Sequence, residues 1–123
     1  MKVVGIDHVH LAIPPEAEST ARAFYGGLLE LSEIPKPAQI SSRGGVWFQC
    51  GSLQIHLGIE RDFSSAKKAH PALLIEGYEK LLKKLADAGY EVRKDTSIPD
   101  VTRCFTSDPF GNRIELISAD TGF

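Results

Sequence analysis

The chain is predicted to have an α+β fold made of two tandem βαβββ modules, because its pattern of strands and helices occurs twice. Residues 7–13 align without a gap on residues 69–75, and residues 54–57 align on residues 113–116 further along the chain. Such self-similarity is typical of duplicated structural units. Each half also shows the same order of periodicities: an alternating strand, one amphipathic helix and then short strands.

The first module is predicted to begin with a strand at residues 3–13, in which odd and even side chains face opposite ways. Pro14 ends this strand, and Pro15 is suited to begin a helix because its missing N–H would have no partner there. Helical spacing predicts a buried stripe on that helix, formed by Ala17, Ala21, Phe24, Leu28 and Leu31. Three short strands are then predicted, at residues 38–42, 45–50 and 53–59.

The second module repeats this order. A helix is predicted at residues 78–88, with Gly89 as its C-terminal stop. Its apolar stripe consists of Tyr78, Leu81, Leu82, Leu85 and Ala88. The strands are predicted at residues 70–76, 91–95, 102–107 and 113–118, and the DPFG sequence at residues 108–111 is typical of a type I turn between the last two.

The linker between the modules is predicted at residues 60–68, which are polar and show no periodic pattern. The first module then spans residues 1–59 and the second spans residues 69–123. At 123 residues the two modules together have the size of one domain, which is large enough to bury a core without disulfide bonds.

The composition excludes several classes of function. The chain is 42% hydrophobic and 24% charged, with a formal net charge of −2, so it lacks the basic surface that a nucleic-acid partner requires. No apolar run approaches the ~20 residues that span a bilayer. Residues 1–5 show no signal-peptide pattern, and we therefore expect a cytoplasmic protein.

Four potential metal ligands occupy matched positions of the repeat. The alignment places His8 on His70 and His56 on Glu115. In each strand the apolar neighbours of these residues have the parity that faces the helix, so the four side chains are predicted to face the opposite side of the sheet. A set of nitrogen and oxygen ligands suits Zn, Fe, Mn, Ni or Co. The repeat therefore predicts a site for a divalent metal ion.

Four segments resemble the vicinal oxygen chelate superfamily, which includes glyoxalases, bleomycin resistance proteins and extradiol dioxygenases. These segments are IDHVHLAI at residues 6–13, AFYGGLLEL at 23–31, KAHPA at 68–72 and DPFGNRIEL at 108–116. The resemblance covers essentially the whole chain. It implies that the two modules form a cup-shaped mixed sheet with the helices on its outer face, and that the protein is a homodimer.

The resemblance also implies that His8, His56, His70 and Glu115 are the metal ligands, and that Glu115 and His56 serve the catalysis. Members of the superfamily include lyases and isomerases with four ligands and dioxygenases with two histidines and one glutamate. His56 stands where glyoxalase I-like members place a fourth ligand, commonly a glutamate. Because it would fill a position that O₂ chemistry needs open, lyase or isomerase chemistry on an oxygen-chelating substrate is slightly favoured over dioxygenase chemistry. The alternative is a metal-free protein that sequesters an antibiotic or another toxic small molecule.

Further residues are candidates for the substrate pocket. His10 shares a strand face with His8, and we expect it to line the pocket rather than to bind the metal. Trp47 and Phe105 are the aromatic candidates on inner strands, although such residues are often simply core. Arg43 and Arg103 could bind an anionic substrate or remain solvated. Arg113 lies two residues from Glu115, and an ion pair between these two side chains would compete with the metal for Glu115.

Overall fold

The fold is seen in a computed structural model, which describes residues 1–121. The chain divides into two compact units, Met1–Ser64 and Ser65–Phe123. Each unit has one four-stranded mixed sheet, and the order of elements is βαβββ in both. The predicted α+β class and the two tandem modules are therefore confirmed. The division between the units falls inside the segment that we predict to be the linker.

The first unit has the strand order β1-β4-β3-β2, in which β1 is parallel to β4 and the other pairs are antiparallel. Its strands are β1 (His8–Ile13), β2 (Ser32–Ile34), β3 (Val46–Cys50) and β4 (Leu53–Ile59). Its helical segments are α1 (Glu18–Ala21), a π-helix (Arg22–Leu28) that continues α1, and a 3₁₀-helix (Ala38–Arg43).

Two strand predictions in the first unit are wrong. The first strand starts at His8 rather than at residue 3, since it pairs only along the length of β4. The segment 38–42 is a 3₁₀-helix, in which the Ser41 hydroxyl donates a hydrogen bond to the carbonyl of Ala38 at 3.1 Å. Such local side-chain bonds compete with strand pairing. The missing strand is β2, which precedes Pro35 and pairs with β3.

The helix of the first unit packs with a different stripe from the predicted one. It begins at Glu18 rather than at Pro15, and it becomes a π-helix at Arg22. Tyr25 is fully buried, whereas Leu28 and Leu31 are only half-buried. Because hydrogen bonds in a π-helix reach back five residues instead of four, the residues after Tyr25 no longer fall on the α-helical stripe. The Tyr25 ring packs near Phe48 of β3, with 5.9 Å between centroids.

The second unit has the strand order β5-β8-β7-β6, with β5 parallel to β8. Its elements are β5 (Ala72–Ile75), α2 (Tyr78–Asp87), β6 (Arg93–Asp95), β7 (Arg103–Ser107) and β8 (Arg113–Ser118). β5 starts two residues later than predicted, because Pro71 has no N–H to donate to a neighbouring strand. Helix α2 buries Tyr78, Leu82 and Leu85, while Leu81 is half-buried. Ala88 is an exposed cap rather than part of the stripe, since the chain leaves the helix there.

The predicted turn at residues 108–111 sets the start of β8. One carboxylate oxygen of Asp108 accepts hydrogen bonds from the backbone N–H groups of Phe110 and Asn112, both at 2.9 Å. The side-chain amide of Asn112 donates to the other oxygen at 3.0 Å. This closed network fixes the phase of β8, so that Glu115 lies opposite Ala72 on one side and Phe105 on the other.

Candidate metal centre

The first unit brings three histidines together. The parallel register of β1 and β4 places His10 directly beside His56, and His8 shares the strand face of His10. One ring nitrogen from each of the three lies within 4.8 Å of the others. The parity argument is thus confirmed for β1, where Leu11 and Ile13 are buried on the helix side and both histidines are exposed on the other.

His56 is the buried member of this cluster. Its ring is stacked between Trp47, with centroids 3.6 Å apart and planes at 2°, and His8, with centroids 4.0 Å apart and planes at 17°. Its Nε2–H donates a hydrogen bond to Oε1 of Gln54 at 2.8 Å. Burial lowers the pKa of His56, and the neighbouring His8 and His10 lower it further. His56 is therefore neutral near pH 7, the form in which an imidazole binds a metal or accepts a proton.

His8 and His10 are positioned by their neighbours. The Nδ1–H of His8 donates to a carboxylate oxygen of Asp7 at 2.9 Å, which leaves the Nε2 lone pair of His8 free to bind a metal. A carboxylate partner of this kind is common behind metal-binding histidines. The ring of His10 lies over Gly58, where an added Cβ would collide with its Nε2. A residue without a side chain at position 58 is therefore necessary for the observed place of His10.

The second unit places His70 and Glu115 in contact. The Nε2 of His70 is 3.0 Å from Oε1 of Glu115, and its Nδ1 is 2.8 Å from the carbonyl oxygen of Lys68. The Nη1 of Arg103 donates to the other oxygen of Glu115 at 3.0 Å. The side chains of Glu115 and Arg103 are only 7% and 13% exposed. Glu115 is thus a buried carboxylate with both oxygens engaged.

The charge state of Glu115 follows from these contacts. Burial alone raises the pKa of its carboxyl group, but hydrogen bonds from His70 and Arg103 and the charge of Arg103 outweigh burial and lower the pKa overall. The group is therefore ionised near neutral pH. A carboxylate so stabilised is a weak base but a good ligand for a cation.

The ion pair that we expected to compete with the metal for Glu115 is made by Arg103 rather than by Arg113. Arg113 does not bind Glu115. It lies over the ring of Phe105, 4.2 Å from the centroid, and its Nη1 contacts the carbonyl oxygen of Lys67 at 3.5 Å. Arg103 holds Glu115 instead, and its Nη2 lies 3.4 Å from Asp95. Arg103 is thus neither solvated nor free.

The predicted pocket residues fall into two groups. A cavity of about 220 Å³ in the first unit is lined by His10, Arg43 and Trp47 of the predicted set. The other lining residues are Lys36, Ile40, Gly44, Leu57, Gly58 and Ile59. Arg103 lines a separate cavity of about 260 Å³ in the second unit. Phe105 is a buried core residue whose ring meets the edge of His70, with 5.5 Å between centroids.

The donor sets of both units suit a divalent metal. Neighbouring ligands of one tetrahedral ion are ~3.3 Å apart, given bonds of ~2.0 Å, and the contact between His70 and Glu115 has nearly that length. The ring nitrogens of the three imidazoles of the first unit lie within 4.8 Å of one another. Imidazole and carboxylate ligands without a thiolate favour Zn, Fe(II), Mn(II), Co or Ni. All four histidines of the sequence belong to these two groups.

Three residues of the site were not predicted. Gln54 could have been found from the sequence, because it lies two residues before His56 and therefore on the same face of β4. Gly58 follows by the same rule. Lys36 could not have been found from the sequence, because it lies between two prolines in a segment without periodicity. Only the fold brings it to the cavity that Arg43 also lines.

No protein-family model matches the sequence, and no curated protein matches it. Among solved structures, a glyoxalase family protein from Bacillus anthracis is 47% identical, with 96% of this chain and 97% of that one covered and a TM-score of 0.91. The fosfomycin resistance protein FosX from Listeria monocytogenes, solved as a variant in complex with Mn(II) and 1S,2S-dihydroxypropylphosphonic acid, shares the fold at 15% identity, with coverages of 95% and 93% and a TM-score of 0.79. Lactoylglutathione lyase from Agrobacterium tumefaciens shares it at 15% identity, with coverages of 91% and 92% and a TM-score of 0.67.

The residues 1–121 include no helix long and apolar enough to cross a membrane. The identity to the Bacillus anthracis protein over nearly the full length of both chains establishes the relationship that the sequence motifs suggest. The chain belongs to the glyoxalase family of the vicinal oxygen chelate superfamily.

Proposed function

We propose that the chain is a metal-dependent enzyme of lyase or isomerase type, which acts on a small molecule that binds the metal through two oxygens. The observation that carries this proposal is the convergence of three histidine nitrogens within 4.8 Å in the first unit. The contact between His70 and Glu115 at the matched positions of the second unit supports it. The FosX variant of the same fold, which was solved in complex with Mn(II), further supports a metal ion in this chain.

The proposed ligands are His8, His56, His70 and Glu115. His8 has a carboxylate behind its Nδ1 and His70 has a carbonyl behind its Nδ1, the arrangement that orients metal-binding imidazoles. His10 belongs to the same cluster as His8 and His56, and we assign it to the substrate pocket because it also lines the cavity of the first unit. We further propose that the protein works as a homodimer.

The chemistry divides between the ion and the side chains. A divalent metal held by these residues would polarise two vicinal oxygens of the substrate and stabilise negative charge on them. The lowered pKa of His56 keeps its imidazole neutral near pH 7, so it can bind the ion through Nδ1, and it would serve as a general base only in a state in which Nδ1 has left the ion. Glu115 is held as an anion by Arg103 and is better suited to binding a cation than to moving a proton. Trp47 covers one face of His56 and excludes water from it.

Dioxygenase chemistry is the alternative to lyase or isomerase chemistry at the same metal site. An iron dioxygenase uses two histidines and one carboxylate and keeps positions open for O₂, and a fourth ligand at His56 would occupy one of them. We therefore expect turnover of the substrate to be the same in air and under argon.

The alternative from a different class is a metal-free binding protein that sequesters a toxic small molecule. One observation favours it: both carboxylate oxygens of Glu115 already have a protein partner, in His70 and Arg103. The convergence of three histidines in the other unit has no purpose in such a protein.

Metal analysis of protein purified without chelators decides between the two. We expect a stoichiometric divalent metal that His8→Ala, His56→Ala and His70→Ala each remove at equal protein concentration. Glu33→Ala is the matched control, because Glu33 is an exposed carboxylate outside both groups. Less than ~0.2 metal per chain, unrestored by added Zn, Mn or Fe at pH 7.5, would contradict the enzyme proposal; affinity is pH-dependent, so the pH is held constant.

A further inference from the structure

Two positively charged side chains, Lys36 and Arg43, line the cavity of the first unit and indicate the kind of ligand that it binds. We infer that the substrate of the proposed enzyme is a small organic oxyanion, whose carboxylate or phosphonate group binds Arg43 and Lys36 and whose short apolar body packs against Trp47. This inference rests on the proposed function, because it names the substrate class of the same site.

The two cations meet no carboxylate inside the cavity. Its lining residues include Lys36, Arg43 and His10 but no aspartate or glutamate. Among residues 1–121, the side chain of Arg43 makes no hydrogen bond or ion pair with another residue. Its planar guanidinium therefore keeps all of its donors available, and this fork geometry matches a carboxylate or a phosphonate.

Lys36 is partly engaged, and its role follows from that. Its ammonium group donates a hydrogen bond to the carbonyl oxygen of Gly44, which holds it at the cavity wall. Glu18 lies nearby and accepts a hydrogen bond from the N–H of Gly45 at 3.0 Å, and its charge offsets part of that of Lys36. Arg43 is consequently the stronger anion contact, and Lys36 adds the remaining positive potential.

The rest of the cavity is apolar and small. Trp47, Ile40, Leu57 and Ile59 supply its apolar wall. Its volume of about 220 Å³ is below the ~300–1,000 Å³ of pockets that take drug-sized ligands. The cavity therefore suits a compact anion of a few carbon atoms rather than a large conjugate.

The cavity also adjoins the histidine cluster. His10 lines it, and the ring nitrogens of His8 and His56 lie within 4.8 Å of that of His10. An anion held at Arg43 would thus place its other end beside the proposed ligands of the first unit. Arg103, the other arginine that the sequence offered for an anionic substrate, is already committed to Glu115.

Trp47 allows a direct test, because it is the only tryptophan of the sequence. The full-length chain is titrated with pentanoate, with butylphosphonate and with the neutral compound pentan-1-ol, and the fluorescence of Trp47 is followed. We expect both anions to bind at least ~10-fold more tightly than the alcohol, which corresponds to 1.4 kcal/mol. Arg43→Gln should remove this preference, and Lys36→Gln should reduce it. Arg61→Gln is the matched control, an exposed arginine in the same unit and outside the cavity.

Each outcome bears on one proposal. Equal binding of anions and alcohol, or full anion affinity in Arg43→Gln, overturns the inference. A preference for one anion over the other identifies the group that the substrate carries. Co(II) binding, followed by its absorption bands in the same samples, reports on the proposed function separately: anion binding that depends on Arg43 in a chain that binds no Co(II) supports the inference and contradicts the metal-dependent enzyme.

Discussion

His56 and Glu115 occupy the same position in the two halves of the repeat, yet their surroundings are opposite. His56 is a neutral imidazole stacked between Trp47 and His8. Glu115 is an anion held by two hydrogen bonds, from His70 and Arg103. Each is buried on the central strand that pairs with the first strand of its module. The repeat thus preserves the backbone position while the means of stabilising a buried polar group differs.

The difference shows why a polar residue can be buried at this position at all. A buried imidazole without charge needs only one hydrogen bond and good packing, which Gln54 and Trp47 supply. A buried carboxylate needs a counter-charge, because an unpaired ion loses its hydration without compensation. The second half therefore requires Arg103, whereas the first half has Gln54, a neutral partner, beside its buried group.

The largest expected effect comes from breaking the charged half. Glu115→Ala removes two charge-assisted hydrogen bonds to a buried carboxylate, each worth ~1.5 kcal/mol, so we expect the free energy of unfolding of the metal-free chain to fall by about 3 kcal/mol. Urea unfolding at pH 7.5 measures this. Glu33→Ala, which breaks the exposed pair with Arg22, should cost less than about 1 kcal/mol. Equal losses in the two variants would mean that the Glu115 network does not stabilise the second half.

A smaller effect separates the two halves by pH. The pKa of His56 in the folded chain lies below its ordinary value, so the unfolded chain takes up the proton first, and stability is lost as the pH falls below about 6.5. The pKa of Glu115 is also lowered, and the stability that it contributes above about 4.3 is lost as the pH falls through its folded value. Stability of the metal-free chain should therefore fall in two separate pH windows.

Two conservative variants assign the windows. His56→Phe keeps an aromatic ring between Trp47 and His8 but cannot take up a proton, so the loss between pH 7.5 and pH 5.5 should shrink. Glu115→Gln should instead reduce the loss below pH 4.5, at a cost in stability at pH 7.5. Urea unfolding of each variant at these pH values checks the assignment. A profile in which His56→Phe changes only the acidic window would contradict it.

The sequence predicts the fold better than the site, and particular residues show why. Strand parity correctly places His8 and His10 opposite the buried Leu11 and Ile13, because period two depends only on the local backbone. Strand β4 was predicted with its observed bounds, Leu53–Ile59. The choice of Arg103 rather than Arg113 as the partner of Glu115 was not predictable, because it depends on the pairing of β7 with β8 and on which long side chain reaches across.

Small residues at matched positions also distinguish the halves. In the first half the large His10 lies over Gly58, whereas the aligned residues of the second half are Ala72 and Ile117, which is buried. In the first half the smaller residue of the pair, Gly58, is on the central strand, whereas in the second half the smaller residue, Ala72, is on the outer strand. This exchange leaves room for an imidazole only in the first half. The exchange of small and large residues is visible in the alignment. Its effect on the space beside His10 depends on the register that brings β1 beside β4.

Gly58→Ala should therefore change binding more than stability. The new Cβ would collide only with the His10 ring, which can rotate away, so the free energy of unfolding should change by less than about 1 kcal/mol. Displacement of His10 into the cavity should weaken pentanoate binding several-fold in the Trp47 fluorescence titration.

Gly45→Ala is the contrasting variant. Its Cβ would meet the backbone carbonyl of Leu57 at a φ of 87°, where neither partner can move away, so it should destabilise the chain strongly. Unchanged pentanoate affinity in Gly58→Ala would show that the place of His10 over Gly58 does not shape the cavity, and the contrast between the two halves at this position would then be one of packing alone.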